Sequence, residues 1–118
     1  MEKKARVLVV DDEELLVNFI VEILKMIGYE AIVCSNPVEA LEAFNNNSGQ
    51  EFDLLITDFR MSPWNGLELV RRMKIDGFSK PYIIVTGSAD LRFPGENVLY
   101  KPFEIPLFCQ TVKSLVGE

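Results

Sequence analysis

Val7-Leu8-Val9-Val10-Asp11-Asp12-Glu13 is the stretch that decides the fold. Its first four residues are apolar, three of them β-branched, with no polar alternation. Such a run reads as a strand buried on both faces, as in a parallel sheet with helices on either side. The run stops abruptly on three acids. The residues that build the core therefore also deliver charge to one edge of the sheet.

Outward from this stretch, strands and helices alternate. Leu15, Leu16, Phe19, Ile20, Ile23, Leu24 and Ile27 recur at three- and four-residue steps, predicting a helix over 13–27 that Gly28 stops. A second strand follows at 31–34. Ser35 or Asn36 can cap the next helix, with Pro37 in its first turn and Val38, Leu41 and Phe44 on its apolar face. Asn45-Asn46-Asn47-Ser48-Gly49 reads as a loop. Leu54-Leu55-Ile56 is a third buried strand. A helix after Pro63 and Gly66 runs to Asp76, with Leu67, Leu69, Val70 and Met73 apolar and Gly77 at its end. Tyr82-Ile83-Ile84-Val85 and Val98-Leu99-Tyr100 are the fourth and fifth strands. A last helix spans 105–116, with Leu107, Phe108, Val112, Leu115 and Val116 available for the core. This alternation predicts one α/β domain over 1–118: a parallel sheet covered on both faces, with no linker, repeat or effector domain within it.

Composition narrows the function. Eighteen acids against twelve bases give a net charge of −6, the wrong sign for meeting nucleic-acid phosphate. The chain has no histidine, which excludes His-based triads and His metal sites within it. Two cysteines, Cys34 and Cys109, are too few for a zinc site unaided and read as two buried free thiols. The apolar run after Lys3, Lys4 and Arg6 is too short for a signal peptide, and no stretch is long enough to span a membrane. A cytoplasmic protein without membrane contact is expected.

Ligands of such folds bind beyond the carboxyl ends of the strands, where the strand order reverses. Asp11 and Asp12 follow the first strand, Asp58 the third, Thr86 ends the fourth and Lys101 follows the fifth. Taken singly, each acid reads as a helix cap or a solvated loop residue, Thr86 as a strand end and Lys101 as a solvated cation. Together they describe a phosphoryl-transfer site. Three carboxylates repel and their ionised forms call for a cation. Mg²⁺ suits them because it takes oxygen ligands and completes its shell with water and phosphate oxygens. Lys101 and Thr86 add a charge and a hydroxyl, and an Asp carboxylate can itself be the nucleophile. Other phosphate chemistries lack their motifs. There is no G-x-x-x-x-G-K-S/T and no G-x-G-x-x-G after the first strand. An Asp-based phosphatase wants a second acid two residues after its nucleophile, where this chain has Arg60.

These residues resemble the receiver domain of bacterial two-component response regulators. The resemblance rests on Val7 to Glu13, on Leu54-Leu55-Ile56-Thr57-Asp58-Phe59-Arg60-Met61, on Asn65-Gly66, on Ile83-Ile84-Val85-Thr86-Gly87 and on Tyr100-Lys101-Pro102-Phe103. It implies a flavodoxin-like, doubly wound five-stranded sheet of order 2-1-3-4-5. It implies that Asp58 accepts a phosphoryl group from a phosphohistidine on a sensor histidine kinase or His-phosphotransfer protein. Asp12 and Asp58 would ligate Mg²⁺ directly, Asp11 would hold a metal-bound water, and the backbone carbonyl of Arg60 would complete the protein ligands. Thr86 would hydrogen-bond the phosphoryl group and Lys101 would pair with it. The Lys101-Pro102 peptide would be cis, a form open to it because proline follows.

Three departures from the family pattern stand out. The family's Met-Pro is Met61-Ser62-Pro63 here, with proline one place late. The position of the switch aromatic, three residues before the lysine, is Val98; Tyr100 is the nearby aromatic, read as lying on the opposite strand face. The stretch between Thr86 and Lys101 also holds the fifth strand, and the remainder sits near the lower limit of about a dozen residues for a parallel crossover. With Gly87, Pro94 and Gly95 inside it, the fourth helix should be a single turn at 89–92 or absent. The family's common dimer face needs that helix, so a monomer is expected, with Leu91 and Phe93 as the loop's apolar contacts to a downstream partner or to an effector domain outside this chain. Trp64 reads as a partly buried loop aromatic, with a role as a cover beside the acceptor as the sharper reading. Two further readings of the site stand beside the phosphoacceptor: a pseudo-receiver, acting as a constitutive interaction module, and a small phosphatase.

Overall fold

The computed structural model describes residues 4–46 and 52–118. Five strands, β1 (Arg6–Val10), β2 (Glu30–Cys34), β3 (Leu54–Asp58), β4 (Tyr82–Thr86) and β5 (Val98–Tyr100), form one parallel sheet in the order β2-β1-β3-β4-β5. Four helices connect or follow them: α1 (Glu14–Met26), α2 (Pro37–Asn46), α3 (Gly66–Ile75) and α4 (Ile105–Val116). No helix among the described residues is long and apolar enough to cross a membrane.

The unalternating strands behave as their sequence demands, with both faces of the sheet buried. Val7, Val9, Leu54, Ile56, Ile83, Val85 and Leu99 pack on one face against Ile20, Ile23 and Leu24 of α1 and Phe108 and Val112 of α4. Leu8, Val10 and Leu55 pack on the other against Ala40 of α2 and Leu69, Val70 and Met73 of α3. Each buried Val, Leu, Ile, Phe or Met side chain among these contributes about 1.5–3 kcal/mol relative to exposure.

Local chemistry sets the helix ends. Asn36 caps α2 by accepting from the Glu39 N–H at 2.8 Å, and the Glu39 side chain reaches back to accept from the Ser35 N–H at 3.2 Å. Asn65 caps α3 by accepting from the Glu68 N–H at 2.9 Å. α4 ends on Gly117 at φ 97°, left-handed backbone that glycine adopts without a steric penalty.

Several expectations need correction. Asn45 and Asn46 are the last residues of α2 rather than loop, because the helix runs on for as long as its hydrogen bonds are made; Asn47, Ser48 and Gly49 lie outside the described residues. Leu15 and Leu107 face solvent, since the buried stripes of α1 and α4 run through Val17, Ile20, Ile23 and Leu24 and through Phe108 and Val112. Cys34 is a buried thiol, but Cys109 is only half-buried. Tyr100 shares a strand face with Val98, because side chains alternate with a period of two and only Leu99 between them turns to the opposite face. Residues 87–97 contain turns and no helix, as the shortage of chain and the Gly and Pro residues required.

Candidate functional site

Parallel register brings the strand ends level. Val10 pairs with Thr57, Asp58 with Val85 and Thr86 with Tyr100. Asp11 and Lys101 are the next residues after β1 and β5, so their side chains arrive at the same edge as Asp58. The Asp11 N–H donates to the Cys34 carbonyl at 3.2 Å and the Lys101 N–H to the Thr86 carbonyl at 2.8 Å, extending the ladder one residue past each strand. The Lys101–Pro102 peptide is cis, as its sequence suggested, and so is Ser62–Pro63.

Asp11, Asp12 and Asp58 each place a carboxylate oxygen within 4.8 Å of the others. Asp11 is buried and its Oδ1 accepts from the Glu13 N–H at 2.9 Å. Lys101 Nζ lies 3.4 Å from Asp11 Oδ2, 3.6 Å from Asp58 Oδ1 and 3.3 Å from Glu13 Oε1. The Phe59 N–H donates to the same Asp58 Oδ1 at 2.9 Å. Burial first, then the charge of Asp11, pushes the Asp58 carboxyl up to about 6, and Lys101 and the Phe59 amide offset only part of this. Burial alone would lower the lysine, but Asp11, Asp58 and Glu13 outweigh it and hold Lys101 above its ordinary value. The lysine is thus a fixed cation serving more carboxylates than it can neutralise. Such a cluster has room for a further positive charge.

The donor set suits a small, hard cation. It is all oxygen, and it spans what metal–oxygen distances of about 2.0–2.1 Å can reach when one carboxylate acts through a bound water. Thr86 is buried at the end of β4, where its Oγ1 accepts from the Ser88 N–H at 3.1 Å. The Arg60 side chain ties to the segment after β4, with Nε donating to Ser88 Oγ at 3.1 Å. A cleft of about 510 Å³ opens beside the cluster, with Asp12, Ser35, Asn36, Arg60, Met61 and Asn65 among its lining residues. Trp64 is half-buried under the guanidinium of Arg72, which sits 3.9 Å from the ring centre. That contact fits the reading of Trp64 as a partly buried loop aromatic.

The structure brings Asp11, Asp12, Asp58 and Lys101 together and puts Thr86 on the adjacent strand end. Three residues named in the sequence make contacts there that its pattern did not show. Glu13 is a third partner of Lys101; its signal was its place in the acid run. Gly66 has a packing reason, since a Cβ there would overlap the Asp58 carbonyl, and its N–H donates to the Phe59 carbonyl at 2.8 Å. Phe93, expected as an apolar contact of the loop to a partner, is half-buried and packs on Phe59, with ring centres 4.8 Å apart and planes at 62°.

Known proteins share this arrangement of elements. Residues 7–113 match the family described as the response regulator receiver domain. The polar-differentiation response regulator DivK of Brucella anthropi is 31% identical over 121 residues, covering 95% of this chain and 96% of that protein. Chemotaxis protein CheY1 of Helicobacter pylori is 31% identical over 122 residues, covering 95% and 97%. Among solved structures, the receiver domain of the hybrid histidine kinase CckA superposes with a TM-score of 0.82 at 28% identity, covering 95% of this chain and 99% of that one. TrrA from Thermotoga maritima, solved in complex with Mg²⁺ and beryllofluoride, superposes with a TM-score of 0.81 at 28% identity, covering 94% and 98%.

Proposed function

The chain belongs to the response regulator receiver domain family, and from that premise we propose that it is a phosphorylation switch whose acceptor is Asp58. The observation that carries this reading is the meeting of Asp11, Asp12 and Asp58 within 4.8 Å, with Lys101 beside them. A receiver domain of two-component signalling is a switch rather than an enzyme acting on external substrates, and on this reading the phosphoryl chemistry is performed on Asp58 of the chain itself.

Asp58 Oδ1 is engaged by the Phe59 amide and faces Lys101, which leaves Oδ2 as the attacking atom. As the new O–P bond forms, the P–N bond of a donor phosphohistidine breaks, and the departing imidazole keeps the electron pair and takes up a proton. Asp12, Asp58 and the Arg60 carbonyl would hold Mg²⁺, with Asp11 orienting a bound water. When bound, the ion neutralises the carboxylates and draws charge from the transferring phosphoryl oxygens. TrrA binds Mg²⁺ and beryllofluoride on the same fold, which supports this reading. Lys101 follows the negative charge as it moves outward from the carboxylate, and the Thr86 hydroxyl keeps a free hydrogen to donate to it while still accepting from Ser88. Exposed Leu15 and Phe19 on α1 and Ile105 and Leu107 on α4 flank this edge, which suits docking of a sensor histidine kinase or His-phosphotransfer protein. The isolated chain acts as a cytoplasmic monomer on this reading, and the phosphorylated form presents a changed surface to a protein partner or an effector domain outside this chain.

The test is incubation with Mg²⁺ and acetyl phosphate, followed by intact mass. A phosphoryl adduct is expected in the wild type and in Asp76→Asn, and none in Asp58→Asn. A second reading, a constitutive interaction module, is favoured by one observation: the segment between β4 and β5 has no helix, and the Tyr100 hydroxyl is committed to the Leu91 carbonyl at 2.8 Å. An unmodified wild type under every donor tried would decide for that module.

A further inference from the structure

We infer that Phe93 is a positioning residue for phosphoryl transfer: its ring, carried by the helix-free segment between β4 and β5, fixes Phe59 and through it the amide that orients the Asp58 carboxylate. The inference rests on the reading of Asp58 as the acceptor and adds a residue far from it in sequence.

The chain of contacts is short. Phe93 meets Phe59 edge to face, an arrangement that aromatic quadrupoles favour beyond simple burial. Phe59 is the residue after Asp58, and its N–H donates both to Asp58 Oδ1 at 2.9 Å and to the Val85 carbonyl at 3.1 Å. A shared donor of this kind is sensitive to small rotations of its peptide, because each bond is made at the expense of the other. Phe59 is only half-buried, so Phe93 supplies a wall that the core does not. Two further ties hold the same segment in place: Arg60 Nε to Ser88 Oγ at 3.1 Å, and the Tyr100 hydroxyl to the Leu91 carbonyl at 2.8 Å. Residues 59 and 60, on leaving the acceptor strand, thus both grip the segment that follows Thr86. A helix in that place would position its own residues through backbone hydrogen bonds. This segment has turns instead, closed by Leu91 N–H to Ser88 O and Glu96 N–H to Phe93 O, both at 3.0 Å, and depends on side-chain contacts for its place.

The consequence for chemistry is orientation. Attack by Oδ2 requires the carboxylate to be held in one rotamer, and misplacement of a reacting group lowers rate without removing the group. Removing Phe93 should therefore slow the step rather than abolish it.

The experiment uses the full chain with Mg²⁺ and acetyl phosphate, and follows the rate of adduct formation across donor concentration. Beryllofluoride binding is followed alongside through its fluorine NMR signal. Phe93→Ala and Phe93→Leu are expected to lower the maximal rate by about three- to ten-fold with little change in the half-saturating donor concentration. They should also shift the signal of bound beryllofluoride. Phe93→Tyr keeps the ring and should restore both. Phe44→Leu breaks a pair of the same kind with Phe78, ring centres 5.6 Å apart, at the far edge of the sheet; it should cost stability without changing the rate. If Phe93→Ala fails to fold, Phe93→Leu keeps a large apolar side chain without the ring and decides alone. A wild type that is phosphorylated at Asp58, with Phe93→Leu equal to it in rate and fluorine signal, overturns the role of Phe93 and leaves the acceptor standing. A wild type with no adduct at Asp58 overturns the acceptor reading, and the inference with it.

Discussion

Between Asp58 and Tyr82 the chain makes its parallel return through α3, which buries Leu69, Val70 and Met73 against the sheet. Between Thr86 and Val98 it makes the same return with no helix at all. The first crossover is held by apolar area, which is non-directional and adds up over many contacts. The second is held by single contacts: an aromatic edge, an arginine–serine bond, a tyrosine hydroxyl and two turn hydrogen bonds. Contacts of the second kind can be made and broken one at a time. Elements with few buried apolar contacts open locally at low free energy, and moving parts are drawn from them. Both crossovers leave from the site edge, so a scaffold and a movable segment begin side by side, at Asp58 and at Thr86.

The most direct way to break this comparison is to truncate one apolar residue in each crossover. Met73 of α3 is fully buried against the sheet, whereas Leu91 is half-buried in the helix-free segment. Met73→Ala should cost about 2–5 kcal/mol, as cavity-forming substitutions in a packed core do. Leu91→Ala should cost about 0.5 kcal/mol, within the range of surface changes. Urea midpoints at unchanged slope give both values. Equal losses would mean that the second crossover is as firmly packed as the first.

The starting points of the two crossovers also differ in charge. Asp58 carries a carboxyl raised to about 6 by burial and by Asp11, against an ordinary value of 3.8. The folded state therefore binds a proton more tightly than the unfolded chain. Its stability falls as pH rises from about 4 through about 6 and stays lower above, by about 3 kcal/mol at most before solvent screening reduces it. Asp58→Asn removes this titration. In metal-free buffer the variant should match the wild type near pH 4 and exceed it by about 1–2 kcal/mol near pH 8. Added Mg²⁺ should close the gap from the wild-type side, since binding to the folded state alone stabilises it. Urea unfolding across pH, with chelator and with Mg²⁺, measures it. A constant difference at all pH values would remove the electrostatic account.

The two crossovers were also unequally legible in the sequence. The β3-to-β4 return could be read because its determinants are local: Leu69, Val70 and Met73 at helical spacing, Asn65 as cap and Gly77 as stop. The absence of a helix in the next return was legible too, from Gly87, Pro94 and Gly95 in too short a stretch. Asp11, Asp12, Asp58, Thr86 and Lys101 could be placed on one edge because a parallel sheet puts all its carboxyl ends there. What holds residues 87–97 in place was not legible. Phe59–Phe93 and Tyr100–Leu91 are pairings between segments that no periodicity relates, and they depend on the path a loop takes after its ends are fixed. Tyr100 shows the narrower failure. Its parity with Val98 was available from the strand period alone, and placing it on the opposite face hid its part in anchoring the segment. Glu13 was quoted in its motif, but its contact with Lys101 required knowing that β5 ends next to β1's acids across the site.

The smallest expected effect is also the sharpest test of local opening. Tyr100→Phe removes only the hydroxyl that donates to the Leu91 carbonyl at 2.8 Å. The site is half-buried, so water can replace part of the lost bond, and the expected cost is about 0.5–1 kcal/mol. Global unfolding would register little of this if residues 87–97 open before the rest of the molecule. Amide exchange separates the possibilities. The Leu91 and Glu96 amides, bonded to Ser88 and Phe93 carbonyls, report the second crossover. The Phe78 amide, bonded to the Met73 carbonyl, reports the first. In Tyr100→Phe, exchange at Leu91 and Glu96 should quicken by about two- to five-fold while Phe78 is unchanged, because a local opening weakened by that amount shifts its own equilibrium alone. If all three quicken together, the two crossovers unfold as one unit, and the contrast between packed area and single contacts has no bearing on how the molecule moves.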